Sequence, residues 1–175
     1  MGEGYALLLD HLLLERGWLR RYADLESARV PAFVRAAAFQ ELYLLRRHAG
    51  KLRYELALHG GAALDDAPEL YVSTMETATS VRHAAADAFV DVDARLYVAR
   101  YLRGWQLQAV LADALRERFD EDWWRNPRAG PWLTGALMAE GQGLDAAGVA
   151  ALATGEPARV LDFAPAVRTI ERHLA

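Results

Sequence analysis

An all-α fold is what this 175-residue sequence predicts, and three observations predict it. Helical apolar spacing dominates the chain, and no alternating strand pattern survives a count. The breakers Gly and Pro fall mainly between the periodic segments. Composition agrees: 53% hydrophobic and 25% charged residues make a globular chain, long enough to bury a core. The expectation is a multi-helix single domain over 1–175, with two long helices at about 31–59 and 92–119 and short C-terminal helices.

The opening "GEGYALLLDHLLLERGWL" reads as a helix over 3–20. In "PAFVRAAAFQELYLLRRHAGKLRYELALHGG", Val34, Ala38, Leu42, Leu45, Ala49, Leu52 and Leu56 step by four or three, so they form one stripe. Arg35, Glu41, Arg46, Lys51 and Arg53 fall off it. Pro31 suits a first turn and Gly60-Gly61 a stop, while Gly50, inside the pattern, implies a bend or a close helix contact. A helix over 67–82 follows, with Asp65 or Asp66 as N-cap before Pro68, and 83–91 is the one irregular stretch. In the helix at 92–119 the apolar residues are not confined to one stripe, which predicts a helix surrounded by others. Pro127, Gly130 and Pro131 then punctuate the chain before short helices at 131–141, 145–153 and 163–174. Asp145 and Asp162 are placed as N-caps, and Gly141 and Gly143 fit a helix end.

Several function classes fall away. A formal charge of −4 gives no basic stripe for nucleic acid. The positive charge is almost all arginine, as in a GC-rich genome, with Lys51 the one lysine. Absence of cysteine removes disulfides, thiolate catalysis and Cys-based metal sites. No apolar run approaches the roughly 18 to 20 residues of a membrane span. The start has no basic n-region and lacks a Ser or Thr at position 6, so neither a signal peptide nor a myristoylation site is read, and a cytoplasmic location is expected.

His11, His48, His59, His83 and His173 are scattered, with no two three or four apart, so a zinc site built from this chain alone is not expected and surface or capping roles are. Glu3 lies near one helical face with Asp10 and His11. It reads either as a first-turn acid facing the positive helix end or as a metal ligand supported by Asp10 or His11. In "DVDARLYVARYLRGWQLQ", Asp93, Tyr97, Arg100 and Gly104 follow a helical face, beside Tyr101 and Gln108. Asp93 could pair with Arg100 past Tyr97 as a structural ion pair, or Tyr and Arg could face a cleft and hold a carboxylate or an oxyanion. "DWWRNP", from Asp122 to Pro127, reads as core anchoring of a loop, with ligand stacking as the other reading.

"GEGYALLLDHLLL" resembles the segment after HExxH in gluzincin-type helical zinc metallopeptidases, where a helix carries the third zinc ligand in a pattern close to E-G-x-A-x-L-x-E-x-L-L. "FVDVDARLYVARYLRGWQLQAVLADALRERFDEDWWRNPRAG" resembles a later helix and loop of the same proteins, and Arg100-Tyr101 is similar to an Arg-Tyr pair of peptidyl-dipeptidase-like members. The resemblance implies Glu3 as third zinc ligand and Tyr101, or Tyr97, as the oxyanion-steadying hydroxyl. Arg100 or Arg103 would grip a substrate carboxylate. This chain departs from the pattern in lacking HExxH altogether, in carrying Asp10 where a Glu is expected, and in Leu7 standing where some members place a second acid.

One zinc ligand of the usual three cannot hold the metal. The expectation is therefore the C-terminal part of a metallopeptidase, inactive alone. Zinc is expected only if the missing HExxH segment is supplied, by an upstream segment or a partner chain, and the substrate is then a peptide. The alternative is a non-enzymatic helical interaction module, a homodimer through an exposed apolar face. A third reading is a small-ligand binder using Arg100, Tyr97 and Trp105.

Overall fold

The computed structural model describes residues 2–157 and 160–175, and every regular element among them is a helix. In order these are α1 (Gly2–Asp10), α2 (Arg16–Tyr22), α3 (Val30–His59), α4 (Ala67–Thr79), α5 (Val98–Phe119), α6 (Ala129–Trp132), α7 (Ala146–Thr154) and α8 (Ala164–Leu174), joined by short 3₁₀ turns and one π turn. Two compact units result: Met1–Phe39 with Arg103–Ala175, and Gln40–Leu102. Both α3 and α5 contribute residues to each. No helix among the described residues is long and apolar enough to cross a membrane.

The first unit is built around α5. Leu8 and Leu12 from the opening segment, Leu107, Leu111 and Leu115 from α5, and Leu137 and Val149 beyond it form one buried cluster. From Gly104 to Ala109 every residue of α5 is buried, Gln106 and Gln108 included, as its unstriped sequence predicts. Trp123 joins this core and Trp124 packs edge-on against Tyr22, so "DWWRNP" anchors a loop. A second cluster holds Leu14, Leu19, Val30, Val34 and Ala38.

The opening helix is not continuous over 3–20. After α1 comes a 3₁₀ turn (His11–Leu14), and then Glu15 leaves the helical region at φ −86°, ψ 102° before α2 begins. Downstream, the expected helix at 131–141 is α6, the π turn (Leu133–Leu137) and a 3₁₀ turn (Met138–Glu140), closed by Gly141 at φ 55°. Asp145 caps α7 as predicted, its Oδ1 accepting from the Gly148 amide at 2.8 Å. Asp162 accepts from the Ala164 amide at 2.8 Å, one residue ahead of the N-cap position of α8.

In the second unit Tyr54, Tyr71, Met75 and Ala88 form the core. Here the predicted stripe on α3 fails. Val34, Ala38 and Leu45 are buried, but Ala49 and Leu56 are exposed, and Lys51, Tyr54 and Glu55 are buried instead. The buried side of this half is chosen by polar partners, which an apolar count does not register. α4 ends at Thr79, earlier than expected, because Ser80 takes the left-handed conformation at φ 61°.

Gly50 is where α3 and α4 touch: a Cβ there would stand 2.6 Å from Ala78 Cβ and 3.3 Å from Met75 Sδ. The helix preference of alanine would favour Gly50→Ala by about 1 kcal/mol. The clash falls on a short side chain with nowhere to rotate, and overpacking of that kind costs about 1–3 kcal/mol. The expected result is a net loss of stability in urea unfolding followed by far-UV circular dichroism. A stabilised variant would mean that the two helices are not in contact there.

α5 also starts later than expected, at Val98 and not near 92. Arg95 and Leu96 lie at φ 57° and 53°, left-handed positions that no α-helix can pass through. Asp93 is therefore extended, at φ −87°, ψ 142°, and does not share a helical face with Tyr97, Arg100 and Gly104.

Candidate functional site

Glu3 sits in the first turn of α1, half-buried. Two glycines fix the helix that carries it. A Cβ on Gly4 would meet Leu107 Cδ2 at 2.8 Å, and one on Gly104 would meet Glu3 Cβ at 3.2 Å and Leu7 Cδ1 at 3.1 Å. α1 and α5 thus approach backbone to backbone, and Glu3 is held against α5 by that approach. Asp10 and His11 do not support it. Asp10 is exposed at the end of α1, and His11 is buried and turned to another partner.

His11 is not the surface or capping residue expected. It is 5% exposed, and its Nε2 accepts from Arg116 Nη2 at 3.0 Å. Arg116 also donates to the Glu15 carboxylate, which explains why Glu15 breaks the opening helix: its side chain must reach α5. Accepting at Nε2 places the ring proton on Nδ1, and that buried nitrogen has no partner among the described residues. Burial, joined by the charges of Arg116 and Arg172 and by His173, pushes the His11 pKa down to about 3. Burial lowers His173 as well.

Tyr97, Arg100 and Tyr101 come together at the start of α5. The Arg100 guanidinium lies over the Tyr97 ring at 5.0 Å, Tyr97 meets Tyr101 edge-on at 5.6 Å, and Tyr101 meets His48 at 5.3 Å. Arg100 and Tyr101 are exposed and Tyr97 is half-buried, so this aromatic and cationic group faces outward. Arg103 is exposed one turn on. His48 donates Nδ1–H to the Leu44 carbonyl at 2.7 Å, and burial outweighs that bond to lower its pKa.

Asp93 pairs with Lys51 at 3.2 Å, which corrects the expected pairing with Arg100. Lys51 is the centre of a network that sequence reasoning missed. Its Nζ donates to the Asp91 carbonyl at 2.6 Å and to Asp91 Oδ1 at 3.2 Å, and lies 3.5 Å from Glu55 Oε1. Arg47 binds both Asp91 oxygens at 2.9 and 2.8 Å, Tyr71 donates to Asp91 Oδ2 at 2.9 Å, and the Asp93 amide donates to Glu55 Oε1 at 2.8 Å. Burial alone would raise Asp91. The hydrogen bonds from Tyr71 and Arg47 and the charges of Arg47 and Lys51 win, and hold its carboxyl below the ordinary range. Lys51 is likewise raised, its carboxylates outweighing burial, and Tyr71 is raised by burial and by its bond to Asp91.

One signal could have found this network. A lone lysine in an arginine-rich chain marks a place where a compact ammonium with three rotatable donors is needed, and a planar fork does not serve. The stretch 83–91, set aside as irregular, carries Asp91 as its last residue. The tethers at Asp91 and Asp93 lie just before the left-handed pair at Arg95 and Leu96. They hold a backbone that costs about 1–2 kcal/mol per residue in isolation.

Among the described residues no group of three or more His, Asp or Glu is placed to hold a metal ion. The described residues do not by themselves fit a zinc site, and Glu3 is one carboxylate held in position. The molecule so defined is an all-helical chain with two buried polar networks and one half-buried carboxylate between paired glycines. Neither the protein-family models, nor the curated proteins, nor the solved structures include a match to it.

Proposed function

We propose that the chain is the C-terminal helical part of a zinc metallopeptidase, inactive alone and completed by an HExxH segment. The observation that carries the reading is the glycine-paired seat of Glu3. In the E-G-x-A pattern of "GEGYALL" the glycine after the acid is what lets α1 lie against Leu107, and so fixes where the acid stands. Leu9 and Leu13, 57% and 41% exposed and one turn apart, leave an apolar outer face on the same segment for another part to cover.

In this reading Glu3 supplies the third ligand, while the two imidazoles and the general base come from the other segment. Tyr101, with Tyr97 as the alternative, steadies the oxyanion, and Arg100 or Arg103 receives the substrate's carboxylate. The test begins upstream of the Met1 codon, where an HExxH-coding stretch is expected within a few tens of codons. In the protein carrying both parts, Glu3→Gln should lower zinc occupancy and reduce peptide hydrolysis by about a hundredfold or more. If no HExxH is encoded upstream or in a co-purifying chain, the reading falls.

The same exposed leucines favour a second reading, a non-enzymatic helical module that associates through this face. Its mark would be a concentration-dependent dimer in light scattering that Leu9→Glu dissociates.

A further inference from the structure

Arg118, near the end of α5, and Arg128, just before α6, lie over aromatic rings. The Arg118 guanidinium stands 5.2 Å from the Trp132 ring centre and 5.9 Å from that of Phe119. Arg128 lies 5.9 Å from the same Phe119 ring centre, so the two charges are no more than twice that distance apart. Phe119 and Trp132 meet edge-on at 5.6 Å, with Phe119 buried in the core, so the floor beneath both guanidiniums is rigid. Together the four residues line an open depression of about 360 Å³.

The neighbouring charges are otherwise arranged. Arg125 pairs with Asp122 at 3.1 Å and Arg116 with Glu15, but among the described residues neither Arg118 nor Arg128 pairs with a carboxylate. Two guanidiniums over one Phe119 ring concentrate positive charge at this place. The Arg128 backbone is held by its amide, which donates to Asn126 Oδ1 at 3.0 Å, and the rings restrict both side chains. A guanidinium lying on a ring keeps its N–H edge free, and that edge matches the two oxygens of a carboxylate or a phosphoryl group. Stacking also removes rotamer freedom before binding, so less is lost when an anion arrives.

We infer that Arg118, Arg128, Phe119 and Trp132 form a binding site for a small ligand carrying two anionic oxygen groups, one gripped by each guanidinium. The rings beneath give the ligand's middle an apolar surface to lie on. Nothing in the peptidase reading requires this site, and the two stand or fall separately.

The probes are pyrophosphate and succinate, titrated calorimetrically into the protein at low and at high salt. Saturable binding of at least one is expected, weakened by salt. Arg118→Ala and Arg128→Ala should each weaken it at least about tenfold, and the double variant should abolish it. Both side chains are exposed, so an unchanged melting temperature would show that these variants fold. Arg118→Lys keeps the charge without the stacked fork and should lose most of the affinity. Stronger binding of pyrophosphate assigns phosphoryl ligands, and of succinate, dicarboxylates. The site is overturned if neither probe saturates at millimolar concentration, or if binding survives in the double variant.

Discussion

Lys51→Met should cost the second unit about 3–5 kcal/mol, the usual penalty for removing one partner of a buried charge network. Lys51 is 5% exposed, and its ammonium contacts three carboxylates: Glu55, which is wholly buried, Asp91 and Asp93. Methionine keeps the stem and removes only the charge and its donors. Among the described residues Arg47 then remains as the sole cation on Asp91, and Glu55, whose Oε2 has no partner among them, loses the ion pair at its other oxygen. Against a typical domain stability of about 5–15 kcal/mol, that is a large share.

The two units can be read separately. All five tryptophans belong to the first, so their fluorescence reports it alone, while hydrogen exchange at the amides of α4 and residues 83–97 reports the second. The expected result is a loss of protection in the second unit. Removing Glu55 as well, in Lys51→Met with Glu55→Leu, should recover about 1 kcal/mol or more, because the uncompensated charge goes with its partner. Full protection in Lys51→Met would show that the network does not hold this unit.

Acid should destabilise the first unit well above the range where carboxylates titrate. His11 has its pKa lowered to about 3 from the ordinary 6.5, so the folded ring stays neutral while the unfolded ring takes a proton. Above 6.5 both are neutral and the stability is complete. As pH falls below 6.5 the unfolded chain gains a proton that the folded one refuses, and stability drops by about 1.4 kcal/mol per pH unit until the folded pKa is reached. The groups facing His11 are Glu15, Arg116, Arg172 and His173. His173 is itself lowered and adds to the slope with the same sign. Asp91 does not interfere, since its depressed carboxyl loses its contribution only as pH falls below the ordinary carboxylate value of 3.8.

The measurement is urea unfolding by tryptophan fluorescence at pH 7, 6, 5 and 4. His11→Gln keeps a hydrogen-bond acceptor for Arg116 but cannot take a proton in this range. It should flatten the slope by about one proton's worth. An identical slope in the variant would mean that His11 is not buried as a neutral ring.

How much of this was legible follows from what each feature depends on. The helical class, the two long helices, the stop at Gly60-Gly61 and the cap at Asp145 were readable, because apolar spacing and capping chemistry act within a few residues. The close contact at Gly50 was half-readable: the glycine marks it, but only the structure supplies Ala78 as the reason. Glu15 as a break and Lys51 as a buried residue were not readable. Both are decided by partners far along the chain, Arg116 in one case and Asp91 in the other.

The face proposed for Asp93, Tyr97 and Arg100 shows the same division. A helical wheel assumes an unbroken helix, and a left-handed pair at Arg95 and Leu96 has no sequence signature, since neither residue favours it. Tyr97, Arg100 and Tyr101 still cluster, being within a turn of one another, but Asp93 goes to Lys51. The sequence by itself determined an all-helical protein, its two long helices, the stop at Gly60-Gly61 and the Asp145 cap, since periodicity and capping are local. Tertiary structure alone decided which charges are buried, which backbone is strained and which arginines lie over aromatic rings, because these depend on groups that only folding brings together.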